Sequence, residues 1–293
     1  MTGQGKQKAG ILDLAVTDLE WLYVPNVEYA DYGGCKRYLQ MIVPYKPYWQ
    51  EEKFPLVVFI PGSAWYEQDM YSKVPMLGRL AEYGYVVAAV QYRGSKLASF
   101  PAQVQDAKAA IRFLRSRAEE YHLDTENVFV FGDSSGGHTA LLAGFTQDNG
   151  ELDSDLYPGY SCSVSGIIDY SGPAELLKCR QEAEQRGVPA NEPMPLDDLF
   201  GGRDIRSIPE LVAKASCLEY IKREIPIPPV LIFHGDNDQV VCHTQSELLY
   251  QTLLEQGKEA EFYLIPGAGH GGPPFWGKEV LNLIHNFLQT HIR

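Results

Sequence analysis

Positive charge is in short supply in this 293-residue chain: 25 Lys and Arg stand against 38 Asp and Glu, a formal net charge of −13. That deficit opposes binding to nucleic acid or to an anionic membrane, and no partner of either kind is expected. The five cysteines, Cys35, Cys162, Cys179, Cys217 and Cys242, show no C-x-x-C spacing. They read as reduced, mostly buried thiols, and no metal site is expected from them. No apolar run approaches membrane-spanning length. The short apolar stretch after the polar start is interrupted by Asp13, too early for a secretory core, so a cytoplasmic protein is expected. Internal repeats and low-complexity tracts are absent as well. With 45 % hydrophobic residues, the composition is that of a globular protein, and the length suits one α/β domain.

What is present is a rhythm. Lys36–Val43 alternates polar and apolar residues like a half-exposed strand, and Leu56–Ile60, Tyr85–Val90, Asn127–Phe131, Val164–Tyr170, Val230–Phe233 and Glu261–Ile265 read as further strands. Helices are expected near Val74–Tyr83, over Pro101–Tyr121, through His138–Phe145 and over Lys278–Gln289. In the second of these, Val104, Ala107, Ala110, Ile111 and Leu114 recur at helical spacing. Alternation of this kind predicts an α/β fold, a mostly parallel sheet covered by helices on both faces, with ligands bound beyond the carboxyl ends of the strands. Residues 1–20 read as an N-terminal extension and 21–293 as one domain. Between Gly172 and Pro229 the rhythm breaks, which predicts an insertion over residues 173–228, either a cap above the active site or a plain surface excursion.

Gly132-Asp133-Ser134-Ser135-Gly136 fits G-x-S-x-G, the sharp strand-to-helix turn that holds a serine hydroxyl clear of the backbone. A serine hydroxyl is a poor nucleophile without an adjacent base, and that base needs a carboxylate to hold its tautomer. The pattern therefore predicts an acid and then a histidine, each after a later strand. In His234-Gly-Asp-Asn-Asp-Gln239, Asp238 is the favoured acid because it reaches further past the strand end, while Asp236 reads as a turn residue. His270, on the glycine-rich Pro266-Gly-Ala-Gly-His-Gly-Gly272, is the candidate base, which gives the chain order Ser134, Asp238, His270. Of the other histidines, His122, His285 and His291 read as solvated, His138 as a packing or capping residue, and His234 and His243 as poorer matches. An oxyanion hole requires backbone N–H donors. Ser135 is expected to supply one, and the Ser63 and Ala64 amides another, if Gly62 bends the loop after Phe59-Ile60 rather than simply ending the strand.

With these residues assembled, the chain resembles the α/β-hydrolase fold, and more narrowly the serine esterases related to hormone-sensitive lipase and to bacterial feruloyl and acetylxylan esterases. The resemblance runs over about residues 26–290, through Gly132–His138, His234–Val241, Gln245–Tyr250 and Pro266–His270. It adds weight to Asp238 over Asp236. It implies a serine carboxylesterase acting on a short acyl ester, acetyl or feruloyl-type, of a small molecule or oligosaccharide, with no metal or organic cofactor. One departure stands out: such esterases carry His-Gly-Gly-x-Trp, and here the matching residues are Pro61-Gly62-Ser63-Ala64-Trp65. Backbone donors survive that change. Trp65 is expected to wall the substrate pocket; Tyr66, Tyr170, Phe200, Phe275 and Trp276 are each read first as core. The same triad would serve an amide hydrolase, a peptidase or an arylformamidase, and the fold could also carry a binding module without catalysis.

Overall fold

The computed structural model describes residues 20–45 and 52–293. In chain order the elements are β1 (Glu20–Asp31), β2 (Lys36–Tyr45), β3 (Phe54–Ile60), α1 (Val74–Ala81), β4 (Val86–Val90), α2 (Ala102–Ser116), β5 (Leu123–Asp133) and α3 (Ser135–Thr146). There follow β6 (Gly166–Tyr170), α4 (Leu176–Gln185), α5 (Pro195–Leu199), α6 (Pro209–Ala213), β7 (Val230–Gly235), α7 (Thr244–Glu255), β8 (Ala260–Ile265) and α8 (Lys278–Thr290). The strands form one eight-stranded sheet in the order β1-β2-β4-β3-β5-β6-β7-β8. β1 and β2 pair antiparallel, as do β2 and β4, and every later pairing is parallel.

The central strands are near-continuous apolar runs because both faces are covered. Along β3, Leu56, Val58 and Ile60 join the core packed against α2 and α3, while Val57 and Phe59 join the core packed against α1 and α8. That is the period of two expected of a strand between two layers. α8 buries Leu281, Ile284, Phe287 and Leu288, one stripe at helical spacing, with Val280 and Leu283 half-buried along its edges.

Each expected strand and helix is present, with ends shifted by a few residues. Outside 173–228, two helices or strands go beyond that expectation. β1 carries Pro25 and breaks its register with β2 twice, between Val24 and Val27 and between Glu28 and Ala30, so its alternation is hidden. α7 mixes buried Gln245 and Ser246 with Leu249 and Leu253, which weakens its apolar stripe. The extension expected over 1–20 lies outside the described residues but for Glu20, which opens β1. Segment 173–228 holds the three short helices α4, α5 and α6, tied down by polar bonds. Gln245 Oε1 accepts the amides of Ala174 and Glu175, and Phe100 N donates to Leu199 O at 2.8 Å. Among the described residues no helix is long and apolar enough to cross a membrane.

Candidate active site

β5 ends at Asp133 and α3 starts at Ser135, so Ser134 alone makes the turn. Its backbone sits at φ 55° and ψ −125°, a strained conformation for a residue with a side chain. Neighbouring backbone holds it there: Ser134 N donates to Tyr170 O at 2.7 Å. A Cβ at Gly136 would run into the carbonyl of Ile60, so α3 can come this close to β3 only with glycine at that position.

The β7–β8 side of the serine carries the other two predicted residues. His270 Nε2 lies 2.8 Å from Ser134 Oγ, and His270 Nδ1 lies 2.6 Å from Asp238 Oδ2. The Asp238 side chain is fully enclosed, and its Oδ1 accepts the amides of Val240 at 2.8 Å and Val241 at 3.0 Å. Burial is the strongest single influence on this carboxyl and pushes its pKa up. Hydrogen bonds from His234, His270 and the Val240 amide together outweigh that influence and hold it well below the usual carboxylate range. An ionised Asp238 can only accept, so Nδ1 of His270 carries the proton and the Nε2 lone pair faces the Ser134 hydroxyl. That is the tautomer a base needs. Asp236, the rejected alternative, instead accepts the Gly267 amide at 2.7 Å.

The β3–β5 side sets backbone amides against side-chain oxygens. Ser63, expected as an oxyanion donor, has its amide on Ser135 Oγ at 2.9 Å, and the Gly62 amide is on Asp133 Oδ1 at 2.8 Å. Among the described residues, the amides of Ala64 and Ser135 have no protein acceptor. Ala64 and Trp65 both take left-handed backbone, φ 53° and 60°. That turn carries Trp65 inward. Rather than walling the cavity, its indole is 4 % exposed, meets the His138 ring edge-on at 5.3 Å and donates to His138 Nδ1 at 3.2 Å. A large apolar body with one donor is better satisfied there than at a wet rim. His138 Nε2 in turn donates to Ala215 O at 2.7 Å. Burial lowers the His138 pKa to about 4 against the opposing pull of the Ala215 carbonyl, so this ring is a neutral strut.

The serine opens into a cavity of about 260 Å³. Ser63, Ala64, Val240, Gly271 and Gly272 line it, together with the Lys73–Asp133 ion pair at 2.6 Å. Tyr170, Phe275 and Trp276 reach its wall but are buried, so they act as core that the cavity touches. Tyr66 donates its hydroxyl to Asp198 and Phe200 packs on Phe100, both away from the cavity. No residue of 173–228 belongs to the lining, though Arg186 of that segment reaches the carbonyl of Val240, which does.

Two groups escaped sequence reasoning. His234 is fully buried with Nε2 only 3.2 Å from Asp238 Oδ2, a second imidazole on the same carboxylate. Asp169, at the end of β6, is also fully buried; burial raises its pKa to about 7, the Gly172 amide bonds Oδ1 at 3.0 Å, and Oδ2 has no partner. Neither shows in a linear pattern, because both are defined by what packs around them.

A mostly parallel sheet between helical layers, with a serine on a strand-to-helix elbow facing a histidine, defines the α/β-hydrolase fold. The chain matches the BD-FAE family model over residues 44–253 and belongs to that family. It is similar to a structure described as the truncated form of a carbohydrate esterase from gut microbiota, at 29 % identity and a TM-score of 0.81, covering 92 % of this chain and 96 % of that one. It is also similar to a bifunctional GH43-CE protein of Bacteroides eggerthii, at 31 % identity and a TM-score of 0.79, covering 92 % of this chain and 38 % of that one. Esterase LipC of Mycobacterium tuberculosis is 29 % identical over 221 residues, 74 % of this chain and 53 % of that protein. The chain spans about half the length of the curated relatives it matches.

Proposed function

We propose that this chain is a serine carboxylesterase that removes short acyl groups, acetyl or feruloyl-type, from carbohydrate through an acyl-enzyme. The observation that carries this reading is the unbroken line Ser134 Oγ, His270, Asp238, with gaps of 2.8 and 2.6 Å. Ser134 Oγ attacks the ester carbonyl as His270 Nε2 takes its proton. The amides of Ala64 and Ser135 hold the resulting oxyanion, each worth on the order of 3 kcal/mol in the transition state. His270 then gives its proton to the departing sugar alkoxide. Water attacks the acyl-enzyme, losing its proton to His270, which returns it to Ser134 Oγ as the acid leaves. Asp238 orients the ring and offsets the imidazolium charge. The carbohydrate part of the reading draws on the similarity to proteins named as carbohydrate esterases, and the domain is taken as one hydrolase unit bearing segment 173–228 as an insertion.

Incubation with p-nitrophenyl acetate and with a panel of acetylated and feruloylated oligosaccharides, read by mass spectrometry, tests this. The expected result is acyl release that disappears in Ser134→Ala. Faster cleavage of aminoacyl or formyl anilides would favour an amide hydrolase. Equal hydrolysis by Ser134→Ala would point to a binding module with adventitious activity.

A further inference from the structure

His234 makes three contacts that together leave its role little freedom. Nδ1 faces the Ser246 hydroxyl at 2.7 Å, and Nε2 faces the Val241 carbonyl at 3.0 Å with Asp238 Oδ2 at 3.2 Å. Two oxygens that can only accept lie around Nε2, so Nε2 carries the proton and Nδ1 accepts from Ser246. The ring is buried at the end of β7, and the turn that follows it supplies both amides held by Asp238 Oδ1, those of Val240 and Val241. One side chain therefore pins the turn through Val241 O and presents an N–H to the carboxylate oxygen that His270 uses.

We propose that His234 is a positioning residue for the reaction, setting both the aim and the effective charge of Asp238 and, through it, the basicity of His270. The proposal rests on the Ser134–His270–Asp238 reading above. Charge compensation at Oδ2 is divided between two imidazoles; without His234 the full negative charge would fall on the His270 side and favour the imidazolium. The other charged or titratable groups around the pair come from several elements. The Arg186 guanidinium, beyond α4, reaches the carbonyls of Asp238 and Val240 at 3.5 and 3.2 Å. The His243 ring lies 6.5 Å from that of His234 and is itself 3.6 Å from Glu247 on α7. Asp236 is turned to the Gly267 amide. None of these touches Oδ2, so the distribution of charge there belongs to the two histidines.

The test uses the full chain and p-nitrophenyl acetate, with active sites counted by phosphonate titration so that unfolded molecules do not enter the rate. His234→Leu is expected to lower kcat per titrated site by at least about tenfold with KM within about twofold, and to move the acidic limb of the kcat/KM profile to higher pH. His234→Gln, whose terminal amide can donate from the place of Nε2, is expected to recover most of the rate and return the limb. Ser246→Ala, which leaves the imidazole in place but takes away the hydroxyl that donates to Nδ1 and steadies the ring, is expected to move both readouts in the same direction by a smaller amount. Unchanged kcat per titrated site with an unmoved limb in His234→Leu and Ser246→Ala would overturn the proposal, as would a loss explained wholly by fewer titratable sites. Ser134→Ala runs in parallel: retained hydrolysis there would overturn the triad reading itself, whereas an inactive Ser134→Ala beside a normal His234→Leu overturns only the role of His234.

Discussion

The two sides of Ser134 are held by different physics. On the β7–β8 side, side chains do the holding: Asp238, enclosed and ionised, gathers two backbone amides and two imidazoles. On the β3–β5 side, backbone turns and amides do most of it, with side-chain oxygens of Asp133 and Ser135 as acceptors. Gly62 and Ser63 give their amides to Asp133 and Ser135, Ala64 and Trp65 adopt left-handed turns, and the neutral His138 ring anchors the indole behind them. The first side depends on charge and should be sensitive to changes of chemistry at constant shape. The second depends on shape and should be sensitive to added volume at constant chemistry.

Asp238→Asn is the largest break in that contrast. The amide keeps the shape but turns a donor toward His270 Nδ1, or surrenders its backbone bonds, and so favours the wrong tautomer; kcat should fall about 10⁴-fold in a p-nitrophenyl acetate assay. Next comes Gly62→Ala, which leaves every charge in place. Its Cβ would lie 2.8 Å from Ser134 Cβ and closer still to Asp133 O, so the loop must shift and misalign the Ala64 amide. A fall in kcat of about 10²–10³-fold is expected, the cost of one lost oxyanion donor.

How much of this was readable from the chain follows the same division. The convergence of Ser134, Asp238 and His270 was legible because the proposed chemistry demands particular side chains in a particular order, and β3, β4, β6 and β7 because strands buried on both faces must be apolar. Trp65 could not be placed correctly. Nothing in Pro-Gly-Ser-Ala-Trp announces two successive left-handed residues without glycine, and that turn decides whether the indole faces cavity or core. Ser63 looked like a donor to substrate for the same reason, since only the fold shows its amide already taken by Ser135 Oγ. His234 reads in sequence only as a strand-end histidine, because a second imidazole on Asp238 is a tertiary fact. β1 hid behind Pro25 and its two register breaks.

The smallest expected effect separates the two sides by pH. His138 has a folded-state pKa of about 4, and in the unfolded chain it would titrate near its ordinary value of about 6.5. The unfolded state therefore binds more protons between those values. The contribution of His138 is complete above about pH 6.5 and is lost as pH falls toward 4, by an amount on the order of 3 kcal/mol. The lowered carboxyl of Asp238 works differently: its contribution is present above about pH 4 and is lost only below that. Asp169, raised to about 7, favours the folded state at lower pH and so opposes the His138 slope. Urea melts of wild type and His138→Gln across pH 4–8, read as the difference between the two, should isolate the His138 slope and show it absent from the variant.

The central claim is that the hydroxyl of Ser134, among several serines around the cavity, is the one made nucleophilic. An organophosphonate followed by peptide mass mapping reads this directly. A single adduct on Ser134, with Ser63, Ser135 and Ser171 unmodified and hydrolysis lost in proportion to labelling, is the predicted result. An adduct on another serine, or full labelling of Ser134 with hydrolysis undiminished, would contradict it.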